Sequence, residues 1–351
     1  MNKAIERQVI VITGASSGIG LATAQEAARR GAKVVLAARN AADLQKWAGM
    51  IMREGGSAIA VPTDVTNFND VEALARNAVS TFGRIDTWIS AAAVSVYGTF
   101  DQIPLEDFRR IIDVNFMGQV HCAKAALPAL KQSKGTLIAV GSALSDRGVP
   151  LQGAYCASKH ALKGWLDSLR TELEREHSSV NVVLVKPSSI NTPLFQKART
   201  FMGVEPRPIP PIYEPELAVK AILQAAENPQ RDVYVGGAGK LLSVAERISP
   251  KALDTHQRWF GFEAQKTKWP KMADQPHNLY SPLQDDGGVR GDFSPKATRH
   301  SVYQMMEPGS IYKLMGLALL GGLGIALLRQ ARKNPDGIAS EGGSAVLPKA
   351  S

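Results

Sequence analysis

Apolar residues along the first 240 positions fall into short β-branched runs, separated by longer stretches in which they recur every three or four residues. The runs are 9–13 (VIVIT), 33–37 (KVVLA), 58–62, 87–90, 136–140 (TLIAV) and 180–185 (VNVVLV), with a further one at 233–235 ahead of Gly236-Gly237. A strand with one solvated face alternates apolar and polar residues; these runs are apolar nearly throughout, as parallel strands covered on both faces require. Helical periodicity occupies the intervals near 19–30, 41–54, 68–82, 105–132, 153–177 and 215–227. Strand alternating with helix predicts an α/β fold, a doubly wound parallel sheet of about seven strands with ligand sites at the strands' carboxyl ends.

After residue 240 the pattern changes. An amphipathic helix is expected over 241–266, followed by a stretch rich in Pro, Gly and Asp at 268–298. Residues 311–328 read IYKLMGLALLGGLGIALL, and Arg329, Arg332, Lys333 and a polar tail follow. The expected organisation is therefore a core domain at 1–240, a mainly helical and irregular accessory extension at 241–310, an apolar helix at 311–328 and a polar tail at 329–351. Leu314 to Leu328 carries no charge, and its length falls short of the roughly 20 residues of a spanning helix unless Lys313 snorkels. The segment is apolar all round and rich in glycine, so a membrane anchor is expected, with a buried or dimer-forming helix, or a disordered segment, as alternatives. Basic residues flank both ends, which leaves orientation undecided.

Composition narrows the classes. The 351 residues are 44% hydrophobic and 21% charged, enough apolar material for a full core. The net charge of +9 is spread along the chain, and no run of Lys/Arg with interleaved aromatics marks a nucleic-acid site. Two cysteines, Cys122 and Cys156, without a CxxC pair or a His cluster, argue against a disulfide framework and a metal site. The N-terminus runs from charged residues straight into an apolar strand, unlike a signal peptide, so a cytoplasmic catalytic part associated with a membrane through 311–328 is expected.

The strongest local motif is Thr13-Gly14-Ala15-Ser16-Ser17-Gly18-Ile19-Gly20, between the first apolar run and a helix. Its glycines permit a tight turn and close approach of backbone to a ligand, and the helix N-terminus offers amides to a pyrophosphate. After the second run, Arg39 stands where an acidic residue would bind a ribose 2′-hydroxyl. A guanidinium pairs with a 2′-phosphate instead, which predicts NADP(H) over NAD(H). Tyr155 and Lys159 are four apart and share a helix face, so the ammonium is expected to favour the phenolate and bring Tyr155 toward the working range of an acid/base group. Ser142, at the end of the fifth run, supplies a hydroxyl to a substrate oxygen.

With these residues in this order, the sequence resembles the short-chain dehydrogenase/reductase family, in its TGxxxGxG and YxxxK branch and with its Rossmann fold, over about residues 5–240. The resemblance implies cofactor contacts from Gly14, Ser16, Ser17, Gly18, Ile19 and Gly20, from Asp64 and Val65 beside the adenine, from Ala91, and from Pro187, Ser188 and Thr192 beside the nicotinamide. It implies a catalytic set of Asn115, Ser142, Tyr155 and Lys159, with Tyr155 as acid/base, Ser142 positioning the substrate oxygen, Lys159 also holding the ribose and Asn115 supporting a proton-relay water. Two positions depart from the family pattern: Ser90-Ala91-Ala92-Ala93 replaces NNAG, and Ser188 replaces a glycine.

The expected activity is NADP(H)-dependent hydride transfer to or from a carbonyl or secondary alcohol. The segment from Leu194-Phe195 through Phe201-Met202-Gly203 to Pro210-Pro211 is expected to form an apolar substrate lid, which favours a hydrophobic small molecule. A homo-oligomer is also expected. The alternative is a catalytically impaired nucleotide-binding scaffold or redox sensor recruited through the tail. An epimerase or dehydratase fits less well, because such relatives carry GxxGxxG spacing.

Overall fold

Seven strands, Val9–Thr13, Lys33–Ala38, Ser57–Pro62, Thr87–Ser90, Thr136–Val140, Asn181–Pro187 and Asp232–Val235, form one sheet and are numbered β1 to β7. All pairings are parallel and the order is β7-β6-β5-β4-β1-β2-β3, so the chain reverses direction across the sheet between β1 and β4. The computed structural model describes residues 3–285, 288–301 and 303, and the chain up to Ser301 folds as one compact unit. The expected anchor at 311–328 lies outside the described residues. Among those residues, no helix is long and apolar enough to cross a membrane.

Strand pleat sorts the core into two layers. Ile10, Ile12, Val34 and Leu36 face one side and pack with helices α1 (Gly18–Arg29), α2 (Ala41–Arg53) and Pro215–Glu227. Val11, Val35 and Trp88 face the other and pack with α3 (Phe68–Phe82), Gly118–Ser133 and Gly153–Arg175. Each large side chain removed from water in this way contributes about 1.5–3 kcal/mol. Local signals set the helix ends: Asn40 accepts the Asp43 amide at 3.1 Å to cap α2, and Gly83, at φ +81°, ends α3.

Two expected helices are interrupted. The span 105–132 is α4 (Leu105–Ile112), a π-helical turn at Asp113–Met117 and α5 (Gly118–Ser133). The turn lies next to the site, and a Cβ on Gly118 would come within 2.7 Å of Val65, so glycine there lets α5 approach the Val65 loop. The span 241–266 is not one helix. After α6 (Gly153–Arg175), the one-turn α7 (Leu194–Lys197) and α8 (Pro215–Glu227), the chain forms α9 (Gly237–Ile248) and α10 (Pro250–His256), then irregular turns and the strand Lys266–Pro270. Pro250 has no amide to continue the ladder of α9, so the chain breaks at Ser249 and restarts with Pro250 in the first turn of α10.

The rest of the extension is built into the same unit. Lys266–Pro270 pairs with Val204–Pro206, and Ala297–Thr298 pairs with Ile212–Tyr213, which also pairs with Ser189–Ile190. Leu279 and Phe293 are buried in the core.

Candidate active site

At the carboxyl ends of the strands lies a cleft of about 480 Å³. Gly14, Ser16, Ser17, Gly18, Ile19, Gly20, Arg39, Asp64, Val65, Ala91, Pro187, Ser188 and Thr192 line it, as do Ser142, Tyr155 and Lys159. The glycines of the first turn have separate causes. Gly14 has φ +74°, and a Cβ there would come within 2.7 Å of the Ala92 amide nitrogen, so the turn abuts the backbone of the alanine segment. A Cβ on Gly20 would overlap the Gly14 carbonyl, which fixes how closely α1 approaches the turn. Gly18, at φ +54°, opens α1, and a side chain there would project toward Thr192 across the cleft. A backbone cradle narrowed in this way, with serine hydroxyls and a helix N-terminus around it, fits a dinucleotide.

Tyr155 and Lys159 stand on α6, and Ser142 follows the end of β5. Tyr155 and Lys159 are both buried, and the Lys159 ammonium lies 5.5 Å from the centre of the Tyr155 ring. Burial pushes Tyr155 up to about 12, and its hydrogen bond with Ser142 only partly opposes this. Burial also draws Lys159 down to about 8. Removal of the phenol from water dominates its pKa in this structure, and the nearby ammonium donates to the Val140 carbonyl at 2.9 Å. Ser142 caps the short turn Ala143–Ser145, accepting the Leu144 amide at 3.0 Å, which holds its hydroxyl beside Tyr155.

Asn115 is the one predicted residue outside the cleft lining. Its amide is fully buried in the π-helical turn, accepts the Val94 N–H at 2.9 Å and donates to the Val94 carbonyl at 2.9 Å. The side chain also donates to Ser158 at 3.3 Å, so it ties the turn to the segment after β4 and to α6.

At the other end, Asp64 accepts from the Thr66 amide and hydroxyl at 2.9 and 2.8 Å. Burial acts to raise its pKa, but these bonds, with Arg110 and Arg39 nearby, hold it below the ordinary carboxylate value. Arg39 donates to the carbonyls of Asn278 at 2.6 Å and Tyr280 at 2.8 Å. Gly18 N–H donates to the Gly288 carbonyl at 2.9 Å, and Asn40 donates to Leu283 at 3.0 Å. The Pro/Gly/Asp-rich part of the extension thus runs along the cofactor side of the cleft, which its composition alone does not reveal.

Other lining residues also escape sequence reasoning. Leu242, Leu253, His256 and Gln257 enter from α9, α10 and the turn that follows, and Lys197 donates to Ser17 at 2.7 Å. Of the expected lid, Leu194, Phe195, Ile209, Pro210 and Pro211 line the cleft, whereas Phe201 and Met202 do not. Ser188 has acquired a use in place of glycine: its hydroxyl accepts the Gly239 amide at 2.9 Å and donates to the Gly236 carbonyl at 3.3 Å, fastening the first turn of α9 to the end of β6.

A parallel sheet reversing at β1/β4, with this turn and this Tyr/Lys/Ser cluster, defines a nucleotide-binding oxidoreductase. Residues 8–203 match the family described as short chain dehydrogenase, and the chain belongs to that family. It is 39% identical over 311 residues to the uncharacterized oxidoreductase YxnA of Bacillus subtilis (strain 168), a match covering 86% of this chain and 87% of that one. It is 29% identical over 265 residues to the ketoacyl reductase HetN of Nostoc sp., covering 72% and 89%. Among solved structures, an alcohol dehydrogenase from the archaeon Thermococcus sibiricus, complexed with 5-hydroxy-NADP, superposes with a TM-score of 0.57 at 26% identity, covering 65% of this chain and 94% of that one.

Proposed function

We propose that the protein is an NADP(H)-dependent oxidoreductase interconverting a carbonyl and a secondary alcohol on an apolar small molecule. The observation that carries this reading is the convergence of Tyr155, Ser142 and Lys159 on the cleft that the Gly14–Gly20 turn also lines. A bound nicotinamide cofactor supplies the hydride chemistry. In the reducing direction Tyr155 gives its proton to the substrate oxygen; with a pKa near 12 it carries that proton at neutral pH. Ser142 orients the same oxygen through its hydroxyl. Lys159, fixed by the Val140 carbonyl, places a positive charge under the Tyr155 ring that favours the phenolate left after transfer. Asn115 holds the π-helical turn against the segment after β4.

Arg39 in place of an acidic residue supports NADP(H), and the NADP derivative bound by the archaeal relative agrees with that choice. Leu144, Val149, Leu194, Phe195, Leu242 and Leu253 line the cleft and favour a hydrophobic substrate. The test is a panel of aldehydes and ketones with NADPH and NADH in parallel. NADPH oxidation with part of the panel is expected, and Tyr155→Phe should lower it by at least about 100-fold while NADPH still binds. Tight NADPH binding with no turnover on any compound would favour the scaffold or sensor alternative.

Membrane association through 311–328 is part of the same proposal and rests on the uncharged stretch from Leu314 to Leu328. Truncation after Gly309 should move the protein from the membrane fraction to the supernatant; retention in the membrane fraction would defeat the anchor.

A further inference from the structure

Gln152 stands at the N-terminus of α6, and its main-chain carbonyl accepts the Cys156 amide at 2.9 Å to begin the first turn. Residues three apart on a helix share a face, so Gln152 neighbours Tyr155, and both line the catalytic cleft.

The extension dictates which way round the Gln152 amide sits. Gln265, which precedes the strand Lys266–Pro270, is fully buried, and its side-chain nitrogen donates to the Pro150 carbonyl at 2.9 Å and to the Gly261 carbonyl at 2.7 Å. Two acceptors around one end of an amide identify that end as the NH2 group, so the other end is the oxygen. This oxygen accepts from the side-chain nitrogen of Gln152 at 2.6 Å. Gln152 is thereby turned so that its nitrogen meets Gln265 and its oxygen, Oε1, is left for another partner.

Oε1 accepts no bond from any described residue. Trp88 Nε1 and Ser90 Oγ also lack a partner, but they are sealed from water, whereas Gln152 Oε1 is not. Since the residue is only 7% exposed and lines the cleft, the cleft is where this oxygen is open. Leu144, Val149 and Leu253 line the same cleft, so the acceptor has apolar company. An amide oxygen only accepts, and its partner is therefore an O–H or N–H. A ligand that displaces water without offering such a donor leaves Oε1 desolvated and unpaired.

We propose that Gln152 is a specificity-determining residue and that the substrate carries a hydroxyl, on the α or β carbon beside the reacting carbonyl, which donates to Oε1. This deepens the reading of the cleft as a carbonyl reductase site and rests on it. An apolar molecule with one such hydroxyl satisfies both the apolar lining and the lone acceptor. Gln265 is a positioning residue, which acts on the substrate through Gln152 from 113 residues further along the chain.

The test is steady-state reduction by the full-length protein, with NADPH, of matched apolar ketones taken with and without an α- or β-hydroxyl. One hydrogen bond in a dry site predicts that the wild type prefers the hydroxylated member by about five- to tenfold in kcat/KM. Gln152→Leu should erase this preference by slowing the hydroxylated ketone, with the plain ketone and the NADPH Kd within twofold of wild type. Gln265→Leu frees the Gln152 amide to turn and should narrow the preference with the plain ketone unaffected; an equal loss on both ketones would overturn the positioning role. A wild type without the preference overturns the proposal whether or not the variants fold, as does a Gln152→Leu protein that retains it or slows both members alike. Turnover of none of the ketones sinks the reductase reading and this proposal with it, whereas turnover without preference sinks the proposal alone.

Discussion

The Lys159 ammonium donates to the main-chain carbonyl of Val140 at 2.9 Å, which fixes it 5.5 Å from the centre of the Tyr155 ring. The charge is thus held from β5, beneath the phenol, in a place almost closed to water. Burial lowers the Lys159 pKa from its usual 10.5 to about 8, so the unfolded chain binds the extra proton more readily between those values. Stability contributed by this group is lowest below about pH 8 and rises as pH climbs from 8 to 10.5. Lys159→Met should remove that rise and add on the order of 2 kcal/mol at pH 7, at the expense of activity. Denaturant midpoints measured from pH 7 to pH 10.5 check it; a variant with the same pH slope as wild type would refute the assignment.

Gly20 has no room for a side chain, because its Cβ would overlap the Gly14 carbonyl. Gly20→Ala must push α1 away from the turn, at about 1–3 kcal/mol, and so widens the cradle. The variant should melt at lower temperature and bind NADPH at least tenfold more weakly. Unchanged affinity would show that the spacing of α1 from the turn is not what the nucleotide reads.

Behind the Ser142 turn, the Asp146 carboxylate accepts from Lys186 at 3.0 Å and from the Tyr234 hydroxyl at 2.6 Å, and both Asp146 and Lys186 are nearly inaccessible to water. Burial acts to raise the Asp146 pKa, but Tyr234, Lys186 and Lys163 hold it down to about 2, against 3.8 ordinarily. Its contribution is complete above about pH 4 and is lost as pH falls through 2. Asp146→Asn leaves an ammonium buried with reduced compensation and should cost about 3 kcal/mol at pH 7. The loss should shrink as wild type and variant are compared at progressively lower pH. Equal differences at pH 3 and pH 7 would contradict the linkage.

Ser188→Gly restores the residue usual in the family but deletes the bonds from its hydroxyl to Gly239 and Gly236. One net bond corresponds to about 0.5–1.5 kcal/mol. Since α9 brings Leu242 to the cleft, the expected effect is a raised KM for apolar substrates, with kcat and nucleotide Kd close to wild type. A change confined to nucleotide binding would place the role of Ser188 elsewhere.

The strands and most of the site were legible because their signals are local. Uninterrupted runs such as VIVIT leave no solvated face, so a strand covered on both sides is the only economical placement. The glycines of the first turn and the four-residue spacing of Tyr155 and Lys159 encode a backbone shape and a shared helix face without help from distant residues. The break at Pro250 was also written in the sequence, but the apolar periodicity of 241–266 concealed it.

Other features depend on groups far apart in the chain. Whether the Tyr155 phenol is raised or lowered turns on how much water reaches it and on which acceptor holds Lys159, and neither is a property of YxxxK. Asn278 comes to line the cleft only because Leu279 is buried and because carbonyls at 278 and 280 hold Arg39 from a distance of about 240 residues. The amino-acid sequence by itself determined the layered α/β fold, the glycine cradle and the placing of Tyr155 and Lys159 on one helix face, since hydrophobic period and local backbone demands suffice for these. The tertiary structure alone decided the electrostatics of that pair, the structural role of Ser188 and the use of the extension as a wall of the site, because desolvation and long-range hydrogen bonding exist only once the chain has folded.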